Sequence, residues 1–171
     1  DVSGERIMTL QKMVPTKHDW QIRCICVGRT IIPIKYIFRD LDASEYIFEE
    51  GFLTEEQGNK VVNMARVINR AFGYEMNSVE FILDKEGEPW AIDFNNPVPD
   101  ARREKLGDVF YNDYADAFVR LARESAMKWQ PAPYLPCLNE YADIARKEVP
   151  REERFKEALA LANEYYEEFK K

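Results

Sequence analysis

Glu80, Asp93 and Asn95 are the residues whose types and spacing could do chemistry. They lie in two segments, Val79-Glu80-Phe81-Ile82 and Ala91-Ile92-Asp93-Phe94-Asn95, on either side of a polar turn, Asp84-Lys85-Glu86-Gly87-Glu88-Pro89, a pattern that predicts a β-hairpin. Strand side chains alternate with period two, so Asp93 and Asn95 share one face while Ile92 and Phe94 take the other. On the neighbouring arm, Met76 to Leu83, Glu80 reaches that same face. Three hard oxygen donors on one surface suit Mg²⁺ against phosphate, because this ion takes a few protein oxygens and completes its octahedron with phosphate and water. The plain alternative is the solvated side of an antiparallel hairpin, where charge needs no function. Two features weigh against it. The second arm carries no lysine or arginine, so its neighbouring carboxylates repel one another unless a cation sits among them. Asn95 also runs straight into Asn96-Pro97-Val98-Pro99-Asp100, whose prolines restrict the backbone before them and fix the position of the amide.

Arg23 is the next residue of interest. It stands between Ile22 and Cys24, facing away from both, and a guanidinium fork holds two phosphate or carboxylate oxygens at any working pH. The ordinary alternative is a salt bridge to Asp19 or to a cross-strand acid. Arg39, at the end of the following strand, can reach the same ligand, and Lys35 has a weaker claim. His18 is the sole histidine and has no serine or cysteine placed beside it, so it reads as an exposed loop residue and supports no triad. A glycosidase reading of Glu80 and Asp93 lacks an aromatic sugar cleft, since Trp20, Tyr36, Tyr46 and Trp90 form no evident platform. The 7 glycines include no Walker or dinucleotide fingerprint, so side chains, metal or a loop from elsewhere must hold any nucleotide.

The elements that position these residues read as an α+β fold, an antiparallel sheet covered by helices. Strands are expected over Ile7 to Val14, ended by Pro15, then over Asp19 to Val27 and Thr30 to Phe38. Gly28-Arg29 is the tight turn between the last two, and Pro33 demotes its strand to an edge or bulged position. Asp40 to Gly51 reads as a loop with a short strand near Tyr46 to Phe48. Thr54-Glu55-Glu56-Gln57 is a capping box, and Val61, Ala65, Ile68 and Phe72 continue at helical spacing until Gly73, with Met64 and Ala71 widening the stripe. Gly107 to Trp129 predicts a second helix and Pro150 the first turn of a last one reaching about residue 169. Residues 1–104 are thus expected as the sheet-bearing unit and 105–171 as a helical extension packed on it.

The 171 residues and 46% apolar content suffice for one substantial core, and no apolar run approaches transmembrane length. A formal net charge of -7, without a basic stripe, argues against nucleic acid as partner and offers no membrane surface motif. The 3 cysteines fit neither a disulfide framework nor a zinc spacing, which points to a reducing, cytoplasmic compartment. Cys24 and Cys26 are expected on one face of their strand.

The order of these features resembles the carboxyl-terminal half of an ATP-grasp domain, over residues 7 to 100. Its most specific part is Val79-Glu80-Phe81 followed, after a hairpin, by Ile92-Asp93-Phe94-Asn95. The resemblance implies that Glu80, Asp93 and Asn95 bind magnesium under ATP, with Asp93 bridging. The family often has Asp on the first strand and Glu on the second, the reverse of the order here. Gln11, Lys12, Met13 and Val14 resemble the hinge whose backbone recognises adenine, although a glutamate commonly stands where Lys12 is found. Asp19 is implied as a ribose contact, Arg23 as the catalytic contact to phosphate or acyl phosphate, and Phe81 and Phe94 as packing around the site that separates its oxygens from the core; Arg39, by its place at the end of the third strand, is expected as a further cofactor contact. The activity implied by the resemblance is that of an ATP- and Mg²⁺-dependent ligase, which activates a small-molecule or peptide carboxylate as an acyl phosphate for attack by an amine or similar nucleophile. A lid and ATP-contacting lysines belong to a second, N-terminal subdomain in that family. The chain starting at Asp1 is therefore expected to be a fragment, inactive alone, and compatible with a homo-oligomer. The competing expectation is a non-catalytic nucleotide-binding or protein-interaction domain with a degenerate site.

Overall fold

A computed structural model of the chain describes residues 11–39, 44–97, 99–127 and 136–167. Among the described residues five strands form one antiparallel sheet: β1 (Gln21–Val27), β2 (Thr30–Ile37), β3 (Glu45–Ile47), β4 (Met76–Leu83) and β5 (Pro89–Asn96), in the order β3-β2-β1-β4-β5. Gly28, with φ 53°, opens the turn between β1 and β2 in a conformation that costs glycine little. Pro33 is accommodated because β3 pairs only with Lys35 to Ile37 of β2, leaving the proline's outer side without a ladder to feed.

Helix α1 (Glu55–Phe72) crosses one face of the sheet. Thr54 and Gln57 form the reciprocal capping box, and Gly73 ends the helix in the left-handed region at φ 68°. Its stripe of Val61, Met64, Ala65 and Ile68 meets Ile22, Cys24, Cys26, Val79, Phe81 and Leu83, and this cluster is the principal core. Helix α2 (Arg103–Met127) packs on the opposite face through Leu106, Phe110, Tyr114, Ala117 and Leu121 against Ile25, Val27 and Ile34. The two remaining helices, α3 (Pro136–Arg146) and α4 (Arg151–Glu167), cover the outer side of α1 through Tyr141, Ile144, Ala158 and Ala162 against Val67 and Ala71. Helix α1 is therefore buried on two sides, and its apolar residues exceed the single stripe a surface helix needs.

Several expectations change in detail. Gln11 to Val14 carry no strand pairing, and Ile7 to Leu10 lie outside the described residues. The second strand starts at Gln21 rather than Asp19, and the short one covers Glu45 to Ile47. Gly107, at φ 67° and ψ 171°, is a kink between a first turn at Arg103 and the regular part of α2, which begins after it as the periodicity requires. Helix α3 was not legible among the prolines around it, although Pro136 occupies a first-turn position where its missing N–H is harmless.

Candidate functional site

The site is built by register. Arg23 stands directly opposite Glu80 in the β1–β4 ladder, and Glu80 directly opposite Asp93 in the β4–β5 ladder. One arginine and two carboxylates thus form a row across three strands, on the face where α2 packs against Ile25, Val27 and Ile34, the last of these the β2 partner of Arg23. The β4–β5 pairing shifts register on both sides of Glu80. That bulge lets Ala91 and Phe94, three residues apart, both pack toward α1.

Arg23 and Glu80 make an ion pair, with side chains only 17% and 12% exposed. The Arg23 guanidinium also donates Nη1 to the Tyr46 hydroxyl at 3.0 Å and lies 4.0 Å from the Tyr36 ring centroid, a cation–π distance. Tyr46 in turn donates to the Asp100 carbonyl at 3.3 Å. Burial pulls the Arg23 pKa down, but the Tyr46 hydrogen bond and the neighbouring Glu80 carboxylate outweigh it and leave it raised. Burial also raises the Tyr46 pKa, partly offset by Arg23. Arg23 Nε is buried without a hydrogen-bond partner among the described residues, an unsatisfied donor at the β1 end of the row.

Asp93 and Asn95 are exposed and adjacent, because the Asn95 N–H donates to Asp93 Oδ1 at 3.2 Å. The Tyr74 hydroxyl donates to Asn95 Oδ1 at 2.8 Å. The donor chemistry of Glu80, Asp93 and Asn95, two carboxylates and an amide oxygen, fits a hard cation. Among the described residues no group of three or more His, Cys, Asp or Glu is placed to hold a metal, so a site here depends on the amide or on oxygens from a ligand.

The hinge-like segment lies elsewhere along β5. Gln11, Lys12, Met13, Val14 and Pro15 line a cavity of about 420 Å³ together with Asp84, Lys85, Glu86, Trp90, Ala91 and Ile92. Its volume is within the ordinary range for small-molecule pockets, and its wall ends at Ile92, one residue before Asp93. Other expected contacts are not gathered in. Asp19 and Arg39 are exposed in the segments flanking β1 and β2. Lys35 pairs with Glu49 at 2.6 Å. Phe81 is fully buried among the α1 core residues, on the face opposite Glu80. His18 is exposed and lies against Trp20, with ring centroids 4.4 Å apart and the planes tilted by 41°.

No protein-family model matches the chain, and no curated protein does either. Among solved structures, the ATP-grasp ligase PsnB complexed with a minimal precursor is similar at 13% identity and a TM-score of 0.43, covering 66% of this chain and 37% of that one. The likeness is weak and partial, and the chain spans little more than a third of that ligase.

Three residues of the site escaped sequence reading: Tyr36, Tyr46 and Tyr74. The two tyrosines beside Arg23 had a signal, since a buried arginine on a strand needs aromatic or acidic neighbours and both residues lie on strands. Tyr74 had none, because its partner Asn95 lies 21 residues away across the irregular end of the β4–β5 ladder.

Proposed function

We propose that the chain forms the metal- and phosphate-holding lobe of an ATP-dependent ligase of the ATP-grasp kind, acting on a carboxylate and an amine or similar nucleophile. The observation that carries this reading is the row Arg23, Glu80, Asp93, with Asn95 held beside it, on a sheet face left partly open. Asp93 and Asn95, with the Glu80 oxygen turned from Arg23, would hold Mg²⁺, which would supply positive charge against the phosphates. Arg23, held by Tyr46 and Tyr36, would steady the transferred phosphoryl group through hydrogen bonds that strengthen as charge develops. The carboxylate oxygen attacks the γ-phosphorus and ADP leaves; the nucleophile then attacks the acyl carbon, phosphate departs, and the amine loses its proton to solvent. The cavity lined by Gln11 to Pro15 would receive the base, and a second lobe would close over the phosphates.

The test is Asp93→Asn in the intact protein. ATP turnover should fall by at least about 100-fold, the scale on which a lost electrostatic contact acts in such sites, with the melting temperature unchanged. Unchanged turnover would remove the assignment. A second reading, binding of nucleotide without catalysis, is favoured by two specific contacts: Arg23 already occupies Glu80, and Tyr74 already occupies Asn95 Oδ1. It expects Mg²⁺-dependent ATP binding in calorimetry with no phosphate released for any carboxylate offered.

A further inference from the structure

A buried amide lies behind the exposed pair Asp93 and Asn95. Asn77 on β4 is 0% exposed and faces α1. Its Nδ2 donates to the Phe94 carbonyl at 3.1 Å, and its Oδ1 accepts from the Asn96 N–H at 3.1 Å. These two backbone groups immediately bracket Asn95. The register shift around Glu80 disturbs the regular β4–β5 ladder at this point, and the Asn77 side chain stands in for a strand partner. The amide is itself fixed: Nδ2 also donates to Asn69 Oδ1 of α1 at 2.9 Å. Asn69 is buried too. Two buried amides therefore link α1 to both peptide planes around Asn95.

We infer that Asn77 is a positioning residue that sets the orientation of Asn95 and Asp93 toward a shared cation, with Asn69 as its support. The inference rests on the reading of those two residues as cation ligands. An exposed strand edge holding its ligands only by ladder bonds would let the amide turn, and the Asn95 N–H bond to Asp93 Oδ1 would be lost with it. Outer partners of this kind typically change metal affinity by one to two orders of magnitude without touching the ion.

The experiment uses the intact protein, Mg²⁺ and a non-hydrolysable ATP analogue, with amide hydrogen exchange read residue by residue. In Asn77→Ser the Asn96 amide should exchange at least about tenfold faster while Ile25 in β1 stays protected, and the Mg²⁺ needed for half-saturation should rise about tenfold. Binding of the analogue without metal should not change. Faster exchange at Asn96 with an unmoved Mg²⁺ midpoint overturns the inference and leaves the cation reading standing. An equal loss of affinity with and without Mg²⁺ also overturns it, since that is what a purely structural role produces. If the unaltered protein shows no metal dependence at all, the cation reading itself fails, a result distinct from both. Should Asn77→Ser not fold, Asn69→Ala removes the acceptor that fixes the amide while leaving Asn77 in place, and carries the same test, with a smaller shift in both readouts expected and an unmoved midpoint overturning it.

Discussion

At the scale of single residues, Glu80 and Asp93 are both acids on one face, yet their surroundings give them different duties. Glu80 neutralises a guanidinium that is mostly buried, so Glu80→Ala strands Arg23 without its charge partner. Breaking a fully buried pair costs several kcal/mol; with both side chains partly exposed, the expected loss is about 2 kcal/mol in urea denaturation. Replacing Arg23 and Glu80 together by Met and Leu should recover much of that loss, because two apolar chains leave no charge uncompensated. Among the described residues Asp93 accepts only a backbone N–H on the exposed edge, so Asp93→Asn should change stability by less than about 0.5 kcal/mol. Equal destabilisation by both acids would show that Asp93 is also a structural charge. The row itself was legible because alternation puts Arg23, Glu80 and Asp93 on predictable faces. The partners were not: Tyr46 reaches Arg23 from 23 residues away. The bulge at Glu80 also breaks the simple alternation that would have assigned Ala91 and Phe94 to opposite faces.

At the scale of elements, the β4–β5 turn is organised by one carboxylate. Asp84 accepts from the Trp90 indole at 2.8 Å and from the N–H groups of Glu88 at 2.9 Å and Glu86 at 3.0 Å. The indole bond first, then the backbone N–H of Glu88, hold its pKa below the ordinary carboxylate value. With the folded pKa depressed, the contribution to stability is present above the unfolded value of about 3.9 and is lost as pH falls through the folded one. The Trp90 indole proton should therefore shift in NMR only at a pH below that unfolded value, and Asp84→Asn should abolish the shift. A midpoint at or above about 3.9 would contradict the bond pattern. The same turn is tied to α1, because Gln57 Nε2 donates to the Gly87 carbonyl at 3.1 Å while Gln57 Oε1 accepts from the Thr54 N–H at 3.1 Å. Thr54→Ala should cost about 1 kcal/mol by thermal denaturation and loosen Gly87 as well, seen as faster amide exchange in residues 84–88. Capping and hairpin turns were readable because their partners lie within a few residues. Helix α3 was not, since its short apolar pattern becomes meaningful only once α1 offers Val67 and Ala71 as a second buried side.

At the scale of the whole molecule, the layers are locked where the β1–β2 turn meets three helices. Arg29 forms an ion pair with Glu124 of α2 and donates Nε to the Tyr165 carbonyl of α4 at 2.7 Å. Its guanidinium lies 4.3 Å from the Tyr165 ring, and that of Arg70 on α1 lies 4.0 Å from it. The Tyr165 hydroxyl closes the cluster by donating to Glu75 at 2.6 Å. Burial first, then the bond and charge of Glu75, push the Tyr165 pKa up, so the hydroxyl stays a donor at neutral pH. Gly28 completes the junction: its N–H donates to the Glu75 carbonyl at 2.7 Å, and a Cβ there would meet Leu121 of α2 at 3.4 Å. None of this was legible from local pattern, because Arg29 and Tyr165 are 136 residues apart and a turn arginine ordinarily reads as solvated. The consequence is that the helical extension should melt with the sheet and not before it. Arg29→Ala removes charged and carbonyl contacts together, at a cost of about 2–3 kcal/mol, or roughly 5–10 °C in melting temperature for a chain of this length. Far-UV circular dichroism and tryptophan fluorescence should fall by the same amount and stay coincident, because the remaining Arg70, Glu75 and Tyr165 contacts still couple α4 to the sheet. A helical signal that melts ahead of the fluorescence in the unaltered protein would show that the extension is bound too weakly to share one cooperative transition.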